Sequence, residues 1–218
     1  MKFLQSAQRV ESFSDGIFAL AATLTVLDFS RDNLDYLGTG FWSNFLSFGV
    51  AFAVLVILWK THYNFFRRTD YIDNWIIAEN GLLLFVVIYY QFPLRELIRS
   101  ILKSRINSME ELSSLFISYG IGFILIFLSI AMMYHRNLVK NRGGNSLVYE
   151  QYYRHFMIFV LTGAISILLA YFQIGITIGL PGCVYALLGP LCTWNARVFK
   201  KRTARGQDQN GSDMVGKE

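Results

Sequence analysis

Charged residues are scarce in this sequence of 218 residues, since only 16% are Asp, Glu, Lys or Arg while 54% are hydrophobic. A soluble domain usually carries about 25% charged residues. The mean hydropathy is +0.38, and the apolar residues are grouped in long runs. Each run approaches the roughly 20 residues that a helix needs to cross the hydrocarbon core of a bilayer. The composition argues against a protein surrounded by water alone and indicates an integral membrane protein.

Cysteine and the signatures of catalysis are nearly absent as well. The two cysteines, Cys183 and Cys192, are nine positions apart in the last apolar run. This spacing does not suit metal ligands, and we interpret both as packing residues. The sequence contains no recognisable H-E-x-x-H motif, P-loop, glycine-rich nucleotide motif or catalytic Ser/His/Asp set. We therefore expect neither an enzyme nor a bound cofactor.

Apolar segments long enough to span a membrane recur six times along the chain. The predicted spans are residues 12–29, 41–59, 75–94, 113–134, 156–172 and 174–195. Arg9, Glu11 and Asp15 interrupt the N-terminal run, which argues against a cleaved signal peptide. We predict an all-α membrane domain over residues 1–199, followed by a disordered polar tail over residues 200–218.

The basic residues are distributed unevenly between the two sides of the predicted membrane. With six spans, 15 of the 20 Lys and Arg residues fall on the side of the two termini and 5 on the opposite side. Basic residues next to membrane spans are retained on the cytoplasmic side. The distribution predicts a multi-pass protein with both termini in the cytoplasm. It also explains the net charge of +5 without a nucleic-acid partner.

The first span is more polar than the other five. Asp15 lies within it, and an ionisable side chain inside a membrane is costly unless it is paired or hydrated. One interpretation is that Ser12, Ser14 and Asp15 cap the first turn of the helix. The other is that this helix carries the function of the protein.

One strip of the first helix supports the functional interpretation. At about 100° per residue, Gly16, Leu20, Thr23 and Leu27 fall within roughly 60° of one another. Several copies of this helix around a shared axis would stack rings of apolar and of hydroxyl side chains. An apolar ring can gate conduction by dewetting, and a hydroxyl ring can offer oxygens to a cation. The alternative is that the leucines only pack and that Thr23 bonds its own helix backbone. Periodicity leaves both interpretations open.

A motif in the first helix narrows this choice. Residues 9–19 read R-V-E-S-F-S-D-G-I-F-A, which resembles the R-x-x-x-F-S-D-G-x-x-A signature of the transmembrane protein 175 family of potassium channels, in the single-repeat form of bacteria and archaea. The resemblance extends to Trp59, His62, Asn80 and the Phe92–Pro93 pair. It covers the first 95 residues by motif and the rest by topology.

The resemblance implies a homotetramer in the prokaryotic plasma membrane, whose four first helices line a central pathway for potassium and other monovalent cations. The sequence has no T-V-G-Y-G filter, which agrees with this family. Leu20, Thr23 and Leu27 correspond to the pore-facing layers of the family, with potassium ions near Thr23. The chain would then be a potassium-preferring leak channel without a re-entrant filter loop.

The resemblance implies a different role for the signature residues. They would hold the cytoplasmic end of the first helix in place. They are Arg9, Phe13, Ser14 and Asp15, with Trp59, His62 and Asn80 as candidate hydrogen-bonding partners. Many family members have paired histidines where this sequence has His62 and Tyr63, so the details of the network are expected to differ.

Two other functions are compatible with the sequence. A proton-coupled cation transporter or exchanger could use Asp15 or Glu79 as its titrating carboxylate, although the broken helices typical of such transporters are not evident. A non-conducting membrane scaffold is the other possibility.

Overall fold

The computed structural model describes residues 7–32, 41–69, 71–103, 108–140 and 146–199. The chain is almost entirely helical there, which confirms the all-α fold. The five long helices are α1 (Ala7–Asp32), α2 (Phe41–Arg68), α3 (Asn74–Lys103), α4 (Met109–Lys140) and α5 (Ser146–Tyr171). Within the described ranges, these five helices are long and apolar enough to cross a membrane. The tail predicted for residues 200–218 lies outside the described residues.

The segment predicted as one span over residues 174–195 is divided in the structure. After α5 the chain turns through residues 172–175, forms a single 3-10 turn at Ile176–Ile178, and becomes helical again from residue 180 to residue 199. Gly175 and Gly179 have φ values of 63° and 68°, a left-handed conformation that ends a helix and that glycine adopts without strain. The helix therefore begins about six residues later than expected and contains a tighter 3-10 turn at Val184–Leu187.

Small residues bring α4 close to its neighbours. A Cβ atom added to Gly122 would lie 2.6 Å from the ring of Tyr90 on α3, and one added to Gly163 of α5 would lie 2.8 Å from Ile124 of α4. Such close approach is how membrane helices gain packing energy, since apolar burial alone gives little inside lipid. The core of the bundle is thus formed by α3, α4 and α5, while α1 packs at the edge against α2 and α3.

The start of α3 is fixed by an ion pair between Asp73, just before the first residue of the helix, and Arg136 on α4. Asp73 accepts the backbone N–H of Ile76 at 3.1 Å, and its Oδ2 atom accepts from Arg136 Nε at 2.7 Å and from Tyr71 at 3.2 Å. Burial raises the pKa of the Asp73 carboxyl, but the bonds and charge of Arg136 and the Ile76 N–H outweigh it and hold that pKa below its usual value. The cap and the pair together fix α3 against α4.

Candidate ion pathway and its supporting network

Helix α1 has two opposite faces with different environments. Ser14, Phe18, Ala21 and Thr25 are buried against the rest of the subunit, and they recur at intervals of four, three and four residues. The second set follows the same intervals and consists of Gly16, Leu20, Thr23 and Leu27, which we call the exposed strip. At about 100° per residue, the middles of the two faces are roughly 160° apart. The buried face therefore fixes the direction in which the strip points.

The exposed strip is not part of the subunit's own core. Leu20 and Leu27 are 48% and 55% exposed, although both are large apolar residues. A Cβ atom added to Gly16 would meet nothing within 4 Å. Thr23 Oγ1 is exposed and donates its hydroxyl hydrogen to the carbonyl of Ala19 at 3.0 Å. The self-bonding considered for Thr23 is thus present, and it leaves the hydroxyl oxygen as an outward acceptor.

A chain of buried hydrogen bonds holds the opposite face in place. Ser14 Oγ lies 2.8 Å from the carbonyl of Val10, Asn80 Nδ2 lies 2.9 Å from Ser14 Oγ, and His62 Nε2 lies 2.8 Å from Asn80 Oδ1. Ser14, His62 and Asn80 are each at most 2% exposed. These bonds join α1, α2 and α3 at one level of the bundle, which we call the Ser14–Asn80–His62 chain.

The direction of each bond in this chain follows from its first member. The Val10 carbonyl can only accept, so the Ser14 hydroxyl donates to it and must accept from the Asn80 amide. The Asn80 side chain thus presents its oxygen to His62, whose Nε2 donates. His62 Nδ1 is left without a partner among the described residues. His62 is held as a donor on one nitrogen and packs its ring against Phe18 at 5.4 Å and Phe66 at 4.8 Å.

Asp15 has a separate partner on the exposed side of the same turn. Trp59 Nε1 donates to Asp15 Oδ1 at 2.8 Å, and this bond is exposed. The Trp59 ring stacks on Tyr63 with centroids 5.8 Å apart, and the Arg67 guanidinium lies over Tyr63 at 5.6 Å. Tyr63 therefore supports Trp59 by stacking, a role that the sequence did not indicate for this position.

The structure thus brings together five of the seven signature residues, namely Ser14, Asp15, Trp59, His62 and Asn80. The other two, Arg9 and Phe13, lie exposed on the surface of the single subunit. Sequence reasoning missed the Val10 carbonyl and the rings of Phe18 and Phe66. Of these, only Phe18 had a signal, which is the buried-face periodicity of α1. Within the described residues, no group of three or more His, Cys, Asp or Glu side chains could hold a metal ion.

Comparison with known proteins connects this arrangement to a family. Residues 9–90, which contain the Ser14–Asn80–His62 chain and the Asp15–Trp59 bond, match the family described as endosomal/lysosomal potassium channel TMEM175. These residues make up less than half of the chain, and they are similar to this family. The match ends within α3, so the similarity lies in the helices that form the candidate site.

Curated relatives also match part of the chain. A protein of Marivirga tractuosa named "Potassium channel" is 32% identical over 146 residues, which cover 59% of this chain and 58% of that protein. The Homo sapiens protein named "Endosomal/lysosomal proton channel TMEM175" is 34% identical over 77 residues, which cover 28% of this chain and 15% of that protein. The match therefore spans less than two thirds of the length of either relative. Both are named as channels and not as enzymes, in agreement with the absence of catalytic motifs.

The TMEM175 fold extends beyond the part matched by sequence. The crystal structure of a variant of the potassium channel MtTMEM175, in complex with a nanobody fusion protein, aligns with a TM-score of 0.73. The alignment covers 90% of this chain and 94% of that chain at 24% identity. At this level of identity the likeness shows a shared fold, which includes α4, α5 and the helical segment after them.

Proposed function

We propose that the chain is a potassium-preferring cation leak channel, in which four copies of α1 turn the exposed strip toward a common axis. The observation that carries the proposal is that Leu20, Thr23 and Leu27 are exposed on α1 while the opposite face is fixed by buried bonds. Lipid would satisfy the two leucines, whereas the outward hydroxyl oxygen of Thr23 is better matched by water or a cation, which copies of the strip around a symmetry axis would enclose. The tetramer follows from the family resemblance.

The order of side chains along the strip suggests a mechanism. Rings of Leu20 and Leu27 would form narrow apolar constrictions, where water is easily lost and conduction can be gated. Thr23 lies between them. Because its hydroxyl hydrogen is directed to the Ala19 carbonyl, its oxygen lone pairs are available to a cation that has lost part of its hydration shell. Four such oxygens are fewer than a carbonyl filter supplies, so we expect potassium to be preferred over sodium only moderately.

The proposal is tested by reversal potentials of the purified protein in planar bilayers, under a potassium gradient opposed by sodium. Thr23→Ala should lower the potassium preference, because it removes the hydroxyl ring. The matched control is Thr25→Ala, since Thr25 makes the same bond to its own helix, at 2.8 Å to Ala21, but on the buried face. Equal selectivity of the wild type and Thr23→Ala would refute the role of Thr23.

The location of the channel belongs to the same proposal. The positions of the basic residues support a plasma-membrane protein with both termini in the cytoplasm. In that orientation the Ser14–Asn80–His62 chain lies near the cytoplasmic end of α1. Protease accessibility of an epitope added after Glu218, in inside-out against right-side-out vesicles, tests the orientation of the carboxyl terminus.

A proton-coupled transporter using Asp15 or Glu79 has less support. Asp15 is exposed near the start of α1 and is already bonded to Trp59, so it does not resemble a carboxylate buried at mid-membrane. The same bilayer recordings separate the two functions. A channel gives ohmic single-channel currents, whereas a coupled transporter gives a saturable flux that depends on the counter-ion.

A further inference from the structure

A large apolar groove lies at the end of the bundle opposite to the Ser14–Asn80–His62 chain. Its volume is about 720 Å³. Its walls come from α2, α3, α4 and the segment after α5, with Val54, Ile98, Phe116, Ile176 and Cys183 among the lining residues. Within the described residues, no side chain of α1 contributes to it.

One wall of the groove is shaped by an unusual backbone. Gln173, Gly175 and Gly179 all have positive φ values, which turn the 174–179 segment back over the bundle. Buried bonds anchor both sides of this turn, from Ser113 to the carbonyl of Ala170 at 2.6 Å and from Ser166 to the carbonyl of Pro181 at 2.8 Å. A Cβ atom on Gly175 would lie 2.7 Å from Leu180. The wall is therefore a defined structure, and the groove is not a gap between loosely packed helices.

We propose that this groove holds one acyl chain of a membrane phospholipid. Water is a poor occupant because it needs several polar partners, and an unfilled cavity would forfeit the contacts of its apolar walls. The groove is continuous with exposed apolar side chains of the subunit, such as Ile101 and Ile178, which are 57% and 75% exposed. A hydrocarbon chain is the ligand that the surrounding bilayer supplies.

A second copy of the chain is the competing occupant. In the proposed tetramer the copies meet through α1, and α1 does not line the groove. This step rests on the proposed function, whereas the apolar lining and its continuity with exposed apolar side chains do not. The test below measures bound lipid without recording conduction, so its failure is distinguishable from failure of the channel proposal.

The first measurement is native mass spectrometry of the full chain. The protein is reconstituted into vesicles of phosphatidylcholine and phosphatidylglycerol, extracted again in mild detergent, and analysed for retained phospholipid. We expect wild type to keep one phospholipid per subunit and Val54→Trp to lose it, because the indole fills the groove. Leu161→Trp is the matched control, since Leu161 is 60% exposed on α5 and does not line the groove; it should keep the lipid.

The second measurement leaves the groove unaltered and does not depend on the folding of Val54→Trp. In a Cys192→Ser background, Cys183 on the groove wall is the one remaining cysteine. The rate at which N-ethylmaleimide modifies it in detergent is measured with and without added phospholipid. When the phospholipid concentration is about tenfold above its Kd for the groove, mass action predicts that Cys183 is modified about tenfold more slowly than without phospholipid.

Three results would overturn the lipid assignment. The first is a Cys183 modification rate that does not change with phospholipid. The second is equal lipid retention by wild type and Val54→Trp. The third is dissociation of the oligomer by Val54→Trp when wild type retains no phospholipid. The last result would assign the groove to contact between subunits.

Discussion

Ser14 on α1 and Asn80 on α3 are joined by a 2.9 Å hydrogen bond whose direction is set by the Val10 carbonyl on one side. The same bond orients the Asn80 amide and so selects the nitrogen that His62 uses to donate. One peptide carbonyl of α1 thereby determines the arrangement of three buried side chains on three helices. The bond links residues 66 positions apart, and it fixes the rotation of α1 on which the direction of the exposed strip depends.

The first prediction concerns this bond. Asn80→Asp replaces the donating NH₂ group with a second oxygen facing Ser14, while retaining the size of the side chain. Leaving buried groups unsatisfied costs about 1–3 kcal/mol each, so we expect a lower unfolding temperature and loss of the assembled oligomer on size-exclusion chromatography. Asn74→Asp, at an exposed position at the start of α3, should leave both unchanged. An oligomer of Asn80→Asp as stable as wild type would contradict the assigned direction of the chain.

The second prediction concerns the proposed apolar constriction at Leu27. Leu27→Asn should raise single-channel conductance, because a polar ring holds water where a leucine ring favours dewetting. Val26→Asn is the control, since Val26 is 45% exposed but lies about 100° around the helix from Leu27. Both variants are compared in planar bilayers under symmetrical potassium. Similar conductance changes in the two variants would show that Leu27 has no special relation to the ion pathway.

The third prediction is the pH dependence of the Asp73–Arg136 pair. The folded-state pKa of Asp73 is lowered, so its stabilisation is present above the unfolded pKa of about 3.9 and is lost as the pH falls through the folded value. Asp73→Asn keeps a good helix cap but removes the charge. We expect the variant to be less stable than wild type by about 1.5–3 kcal/mol near neutral pH.

The measurement is denaturant unfolding in detergent at several pH values. The difference between wild type and Asp73→Asn should be constant from neutral pH down to about pH 5 and should shrink below about pH 4. A difference that stays the same at the lowest pH would mean that the charge of Asp73 is not what stabilises the fold.

The fourth prediction concerns the close approach of α3 and α4. Gly122→Ala would place a Cβ atom 2.6 Å from the ring of Tyr90, which is 2% exposed and has little room to move. Overpacking of this kind costs about 1–3 kcal/mol. Gly189→Ala, where nothing lies within 4 Å, should have no effect or stabilise the helix slightly. Thermal unfolding of the two variants in the same detergent compares them directly.

Local features of the sequence were sufficient for much of the fold. The positions of the five long helices follow from runs of apolar residues, because the length of a membrane helix is set by the thickness of the bilayer. The division of α1 into two faces follows from the spacing of Ser14, Phe18 and Ala21 on one side and Leu20 and Thr23 on the other. Both features depend only on neighbours within one helix.

Other features were decided by tertiary structure alone. Ser14 and Asp15 are adjacent in sequence, yet Ser14 bonds to Asn80 and Asp15 bonds to Trp59. These partners are 66 and 44 positions away, so the pairing depends on how whole helices are aligned. The motif named candidate members of the network but could not assign these pairings or show that Arg9 is exposed on the single subunit.

The break after α5 has the same origin. Gly175 and Gly179 permit a turn within the apolar run from residue 174, and bonds from Ser113 and Ser166 to the chain on either side hold that turn in place. Hydropathy determines that a segment belongs in the membrane, since transfer from water depends on composition. Where a helix bends and which groups it bonds depend on contacts that exist only after the helices have packed together.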